Sequence, residues 1–218
     1  MKTLEALLQY NKSIRAIGYY DTPFNHNQDN KVNISGIVCL NTRFEGMLWS
    51  EVTLNGMDAT EILAEQLVNS PFYPHVNVIL FDGISMAGLN IIDLPLLTKW
   101  LARPCISVMR ELPNMRAIQT ALTHLSDTHQ RFATMCKAGN IHKSGDFYFH
   151  VQGTSPGIAA ATLHRLSEQG NIPEVLRLAQ LIGSAVKTGH SSTTKHLQQM
   201  PYTTALLPSF ADDRLEKH

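Results

Sequence analysis

The stretch VNVILFDGISMAGLN, residues 76–90, reads as a core strand that stops on a carboxylate. Val76, Val78, Ile79, Leu80 and Phe81 fill five of its first seven positions, a run suited to a strand covered on both faces. Asp82-Gly83 then ends it abruptly. That pair commonly starts a turn, which is the bland reading. The sharper reading is that Asp82 meets other carboxylates at the strand ends and helps to hold a metal ion.

Upstream of this strand the chain is β-rich. IRAIGYY (14–20), KVNISGIVCL (31–40) and GMLWSEVTL (46–54) are short β-branched or aromatic runs separated by Asn, Asp and Gly. The second and third are expected to pair antiparallel across NTRFE. Past Gly56 the period becomes helical. Asp58 is predicted as an N-cap, with Glu61 completing a capping box before Ile62, Leu63 and Leu67. Downstream, IIDLPLLTKWL predicts a helix in which Pro95 marks a kink or an early start. Strand CISVM (105–109) and a helix over 114–125 follow. DFYFHVQG (146–153) suits an edge strand or a buried extended segment. Ser155-Pro156 opens a helix ending near Gly170, and a last helix runs from Pro173 to Gly189.

A meander followed by strands alternating with helices requires parallel crossovers, so an α/β fold with a mixed central sheet is expected. Residues 1–189 are expected to form one domain, and 190–218 a C-terminal tail packed on the body or on a partner. At 218 residues, 44% hydrophobic and 17% charged, the chain has enough apolar material for a sizeable core. Its 18 basic and 18 acidic residues balance, so any phosphate recognition must be local. Cys39, Cys105 and Cys136 are too few and too scattered for a disulfide framework or zinc knuckle, and suit reduced thiols in a cytoplasmic protein. Neither export nor membrane insertion is expected. Trp49, Trp100 and the methionines 47, 57, 86 and 109 read as packing residues. GISMAG lacks both the dinucleotide fingerprint and a P-loop lysine.

In a fold of this order the first strand lies beside the fourth, and Asp21 closes one as Asp82 closes the other. A helix after the meander delivers Glu61 from its first turn. Converging carboxylates repel one another unless a cation such as Mg²⁺ or Mn²⁺ neutralises them. Each residue keeps its bland alternative: a turn at Asp21 and at Asp82, and a cap at Glu61.

IRAIGYYDTPF, VTLNGMDATEIL, VILFDGISMAGLNIIDL, SVMRELPNMRAI and GNIPEVLRLAQLIGSAVKTG resemble, in order, the blocks of domain of unknown function 99 (UPF0215), some members of which are labelled endonuclease dU. That family is similar to endonuclease V, with a three-layer ribonuclease H-like fold. The resemblance implies Mg²⁺- or Mn²⁺-dependent cleavage of nucleic acid near a deaminated base, DNA ahead of RNA, with a homodimer left open. It implies that Asp82 is the fourth-strand carboxylate and Glu61 the helix-borne one, both metal-binding, with Asp21 a further catalytic candidate. Arg110, just past the fifth strand, is the candidate phosphate contact; Tyr20 and Gly83 are the other substrate-binding candidates.

This chain also departs from the family pattern. Where members read Gly-Ile-Asp-Asp-Gly-Pro-Phe, it reads Gly18-Tyr19-Tyr20-Asp21-Thr22-Pro23-Phe24, so Tyr20 stands in place of the leading carboxylate. Successive strand side chains point to opposite faces, so Asp21 can substitute only through a bulge or register shift. Gln180 stands at a position often occupied by histidine, and HSSTTK follows Gly189 where relatives tend to carry arginines. Weak or altered nuclease activity is therefore expected. The alternative is a catalytically silent binding or scaffold protein.

Overall fold

A computed structural model describes residues 2–168 and 172–191. In chain order its strands are β1 (Arg15–Asp21), β2 (Lys31–Leu40), β3 (Arg43–Thr53), β4 (Val78–Asp82), β5 (Ser85–Met86), β6 (Asn90–Ile91), β7 (Cys105–Met109), β8 (His142–Ser144) and β9 (Phe147–Gln152). Its helices are α1 (Leu4–Gln9), α2 (Ala59–Val68), α3 (Leu94–Leu101), α4 (Met115–Leu122), α5 (Thr128–Lys137), α6 (Pro156–Arg165) and α7 (Glu174–Thr188). Seven strands form one mixed sheet in the order β3-β2-β1-β4-β7-β9-β8, while β5 and β6 form a separate hairpin. β1, β2 and β3 are an antiparallel meander, and β1, β4 and β7 run parallel, as the sequence order requires.

Two apolar cores sandwich this sheet. Ile17, Tyr19, Ile79 and Phe81 pack against α2 and α3 on one face, and Ala16, Val78 and Leu80 against α6 and α7 on the other. β4 is thus buried on both faces, which is why its sequence is continuously apolar. α7 lies across β1, β2 and β4, close enough that small residues are needed beneath it. A Cβ on Gly183 would come within 2.6 Å of Ser35 Oγ, and one on Gly18 within 3.0 Å of the Val175 backbone. The Ser35 hydroxyl also donates to Ala179 O at 2.7 Å, fixing the helix on the sheet. Gly183→Val is expected to lift α7 and lower stability by about 2 kcal/mol, the range of an overpacked core, measured as a fall in the urea midpoint.

Several local expectations change. The β2–β3 connection is a two-residue turn at Asn41 and Thr42, with β3 starting at Arg43; Asn41 takes the positive φ (54°) that such a turn needs. Pro95 lies in the first turn of α3, so it starts the helix without kinking it, and the Asp93 carboxylate caps Leu96 N at 3.0 Å. Ser155 caps α6 as expected, but that helix ends at Arg165, short of Gly170. The strand over 147–152 is one in from the edge, because β8 pairs outside it. Trp49 and Trp100 are 38% and 45% exposed, since edge strand β3 and the outer face of α3 leave them uncovered; Met57 is exposed while Met86 is buried. All three cysteines are free thiols. Among the described residues no helix is long and apolar enough to cross a membrane. The tail expected to pack on the body lies, from residue 192 onward, outside the described residues.

Candidate strand-end site

β1 and β4 run in parallel register, with Tyr19 opposite Phe81, so the next pair along is Tyr20 and Asp82. Side chains alternate across a strand. Tyr19 and Phe81 belong to the α2/α3 core, while Tyr20 packs on the α6/α7 core. Tyr20 and Asp82 therefore share the α7 face, and Asp21 takes the opposite one. The β1–β2 ladder continues in register from Arg15 to Asp21, with no bulge to reorient Asp21. Tyr20, and not Asp21, therefore shares the face of Asp82.

Asp21 has a local task. Its Oδ2 accepts the Ala87 N–H at 2.9 Å, tying the end of β1 to the β5–β6 hairpin. Burial pushes its pKa up to about 6; the Ala87 hydrogen bond opposes that rise and the charge of Asp82 adds to it. Burial also raises the Asp82 carboxyl, and the Arg110 guanidinium holds it down. Tyr20 is pushed upward by burial and by Asp21 and Asp82, with Arg110 and a hydrogen bond from Gln180 opposing, so its hydroxyl stays protonated. Tyr20, Asp82, Arg110 and Gln180 thus form one electrostatic cluster at the ends of β1, β4 and β7, under the middle of α7. Two of the departures from the family pattern, Tyr20 and Gln180, touch each other there.

Because the folded pKa of Asp21 lies above the unfolded value near ~4, the folded state keeps a proton that the unfolded chain has already lost in that window. Stability contributed by this group is full below about pH 4 and is lost as pH rises through about 6. The urea midpoint of the wild type relative to Asp21→Asn is expected to fall across that window and to be flat above it. Asparagine keeps the acceptor for Ala87 and removes the titration.

The remaining candidates lie elsewhere or are already engaged. Gly83 turns the chain at φ 85°, and its N–H donates to Val108 O at 2.8 Å, so that donor is taken. Glu61 is exposed on α2, on the opposite side of the sheet from Asp82. It lines a cleft of about 290 Å³ with Thr60, Asp93, Arg131 and Lys137. The capping box is not made: Asp58 turns away to Thr53 Oγ1 (2.6 Å) and Asn90 Nδ2 (2.6 Å), and Asn90 Oδ1 takes the Ala59 N–H instead. Among the described residues no group of three His, Cys, Asp or Glu side chains is gathered as a metal cage. On the α7 face the strand-end carboxylate is Asp82, since Asp21 takes the opposite face and is held by the Ala87 N–H. Mg²⁺ is often held by one or two carboxylates together with substrate phosphates, so Asp82 fits an ion that arrives with a phosphate backbone, and not one caged by protein alone.

One residue that the sequence did not single out organises the surroundings. Arg131 of α5 is buried, donating through Nη1 to Gly56 O and Leu89 O (2.6 Å each) and through Nη2 to Asn55 O (2.7 Å). Asn55 in turn accepts Leu89 N at 2.9 Å and donates to Ala87 O at 2.8 Å. The hairpin that holds Asp21 is therefore clamped from the turn after β3 and from α5. The one available signal was an arginine in an otherwise weakly apolar helix, which carries no hint of its partners.

The comparisons with known proteins agree with this architecture. The chain is 35% identical over 186 residues to a UPF0215 protein of Thermococcus gammatolerans, covering 82% of this chain and 95% of that one. It is 30% identical over 194 residues to one of Methanopyrus kandleri, covering 86% and 98%. A crystal structure of a protein of unknown function from Archaeoglobus fulgidus superposes with a TM-score of 0.75 at 30% identity, covering 79% of this chain and 98% of that one. Endonuclease V from Bacillus subtilis gives a TM-score of 0.55 at 10% identity, covering 87% and 84%. Ciona intestinalis endonuclease V, in complex with an inosine-containing DNA, gives 0.51 at 13%, covering 78% and 84%. At those identities the likeness to endonuclease V establishes the fold, an α/β fold of ribonuclease H-like character. Residues 12–187 match the family model described as Endonuclease dU, and the chain belongs to that family.

Proposed function

We propose that the strand-end surface around Asp82 and Arg110 binds a nucleic-acid strand, DNA ahead of RNA, and that cleavage of its backbone near a deaminated base is weak. The observation that carries this reading is the placement of Arg110 beside Asp82 and Tyr20 at the sheet end of an endonuclease V-like fold. Arg110 supplies a phosphate contact suited to two phosphate oxygens at once. Tyr20 offers a protonated hydroxyl and an aromatic face against which a base can stack. Asp82, with its pKa raised by burial, accepts a hydrogen bond or a proton at the scissile position. A Mg²⁺ or Mn²⁺ ion held between phosphate and Asp82 would polarise the phosphate and lower the pKa of an attacking water. Glu61, on its separate cleft, would join only through movement of α2.

The silent-scaffold reading has its own support in Tyr20, which removes a carboxylate from the face that Asp82 occupies. Nicking of uracil- and inosine-containing oligonucleotides in Mn²⁺, by wild type and by Asp82→Asn, separates the two. Slow nicking that Asp82→Asn abolishes supports the nuclease reading. Binding without nicking at any Mn²⁺ concentration supports the scaffold reading, and no binding at all contradicts both.

A further inference from the structure

Immediately beyond the strand-end cluster the chain leaves β7 through Arg110-Glu111-Leu112-Pro113-Asn114 and enters α4. This short connection is anchored at both ends. Arg110 lies in the field of Asp82 and Tyr20, and Asn114 caps α4 by accepting Ala117 N at 3.1 Å through Oδ1. Pro113 fixes one backbone torsion between them. Leu112 is nonetheless 60% exposed, and Met115, at the first position of α4, is 40% exposed. Met115 begins the same stripe of α4 as Ile118 and Leu122, which reach a small core with Met135, but at the start of the helix it lies beyond that core and stays exposed. Two large apolar side chains are therefore exposed two and five residues beyond Arg110.

The charge around them indicates what covers them. Arg110 and Arg116 bracket the pair, with Glu111 the single opposing charge in 110–116. Cations flanking an apolar tip suit a nucleic acid: phosphates meet the arginines while the tip reaches the base stack. We propose that Leu112, backed by Met115, is an apolar prong that enters the stacked bases of the strand whose phosphate Arg110 holds. This rests on the nucleic-acid reading above and adds to it a mode of engagement: local unstacking, which would bring a base within reach of Tyr20.

The test uses the full chain and a panel of fluorescein-labelled duplexes in which one 2-aminopurine is moved position by position. Anisotropy reports binding, and 2-aminopurine emission reports unstacking. Wild type at saturation is expected to raise emission at one or two adjacent positions. Leu112→Ala, an exposed substitution, is expected to cut that rise at least threefold at saturating protein while weakening binding by less than about tenfold. Arg110→Ala is expected to weaken binding yet keep most of the rise at saturation. Binding with no emission change, or an equal rise in Leu112→Ala, overturns the prong and leaves the nucleic-acid reading standing; absence of binding overturns both. If Leu112→Ala instead dissociates a dimer in sedimentation with emission unchanged, a second copy covers the tip and the prong is again overturned.

Discussion

Tyr20→Asp is expected to raise Mn²⁺-dependent nicking by about a hundredfold, the scale of about 2.7 kcal/mol of transition-state stabilisation. Strand parity is the reason. Tyr20 and Asp82 are register neighbours on the α7 face, so a carboxylate at position 20 stands beside Asp82, whereas Asp21 points to the hairpin. The same substitution is expected to lower the melting temperature without metal, because it sets a second buried negative charge near Asp82 with only Arg110 to offset it. Added Mn²⁺ is expected to restore the loss by binding the folded state alone. Melting curves with and without Mn²⁺, beside the nicking assay, read both effects. A folded variant that neither cleaves faster nor gains stability from Mn²⁺ contradicts the placement of the ion at this face.

Arg131→Ala is expected to cost about 3–4 kcal/mol, because it strands the carbonyls of Asn55, Gly56 and Leu89 in a buried setting. For a chain of this size that corresponds to a fall of roughly 10 °C in melting temperature. The loss is not confined to the loop. Releasing Leu89 loosens the β5–β6 hairpin, and with it the Ala87 N–H that holds Asp21. Hydrogen exchange at Ala87 and Leu89 is expected to accelerate before global unfolding does. Arg131→Lys keeps the charge with fewer donors and is expected to recover part of the stability. An unchanged melting temperature in Arg131→Ala contradicts the clamp.

The sheet was largely legible from the sequence because its signals are local. The unbroken apolar run before Asp82 marks a strand buried on both faces, and the period of α7 ends on Gly189, whose φ of 82° is the left-handed cap expected of glycine there. Parity also indicated that Tyr20 and Asp21 oppose each other, as the unbroken β1–β2 ladder bears out.

What failed depended on partners distant in the chain. Asp58-x-x-Glu61 looked like a complete cap, yet Asn90, 32 residues away, takes over the helix end and turns Asp58 aside. The helix over 128–137 was missed because THQRFATMCK is too polar to display an apolar stripe; its anchor, Arg131, bonds to carbonyls 75 and 76 residues distant. Glu61 was expected to converge on Asp82 because both follow from one family pattern, but the face of the sheet to which a helix packs cannot be read from the residue itself.

The most direct test of nucleic-acid binding at the strand ends is the salt dependence of binding to a labelled inosine- or uracil-containing oligonucleotide, compared between wild type and Arg110→Ala. The expected result is affinity weakened about tenfold and a log–log salt slope shallower by about one, the signature of one lost phosphate contact. Equal affinity and equal slope in the two proteins would place the nucleic acid elsewhere and contradict the account.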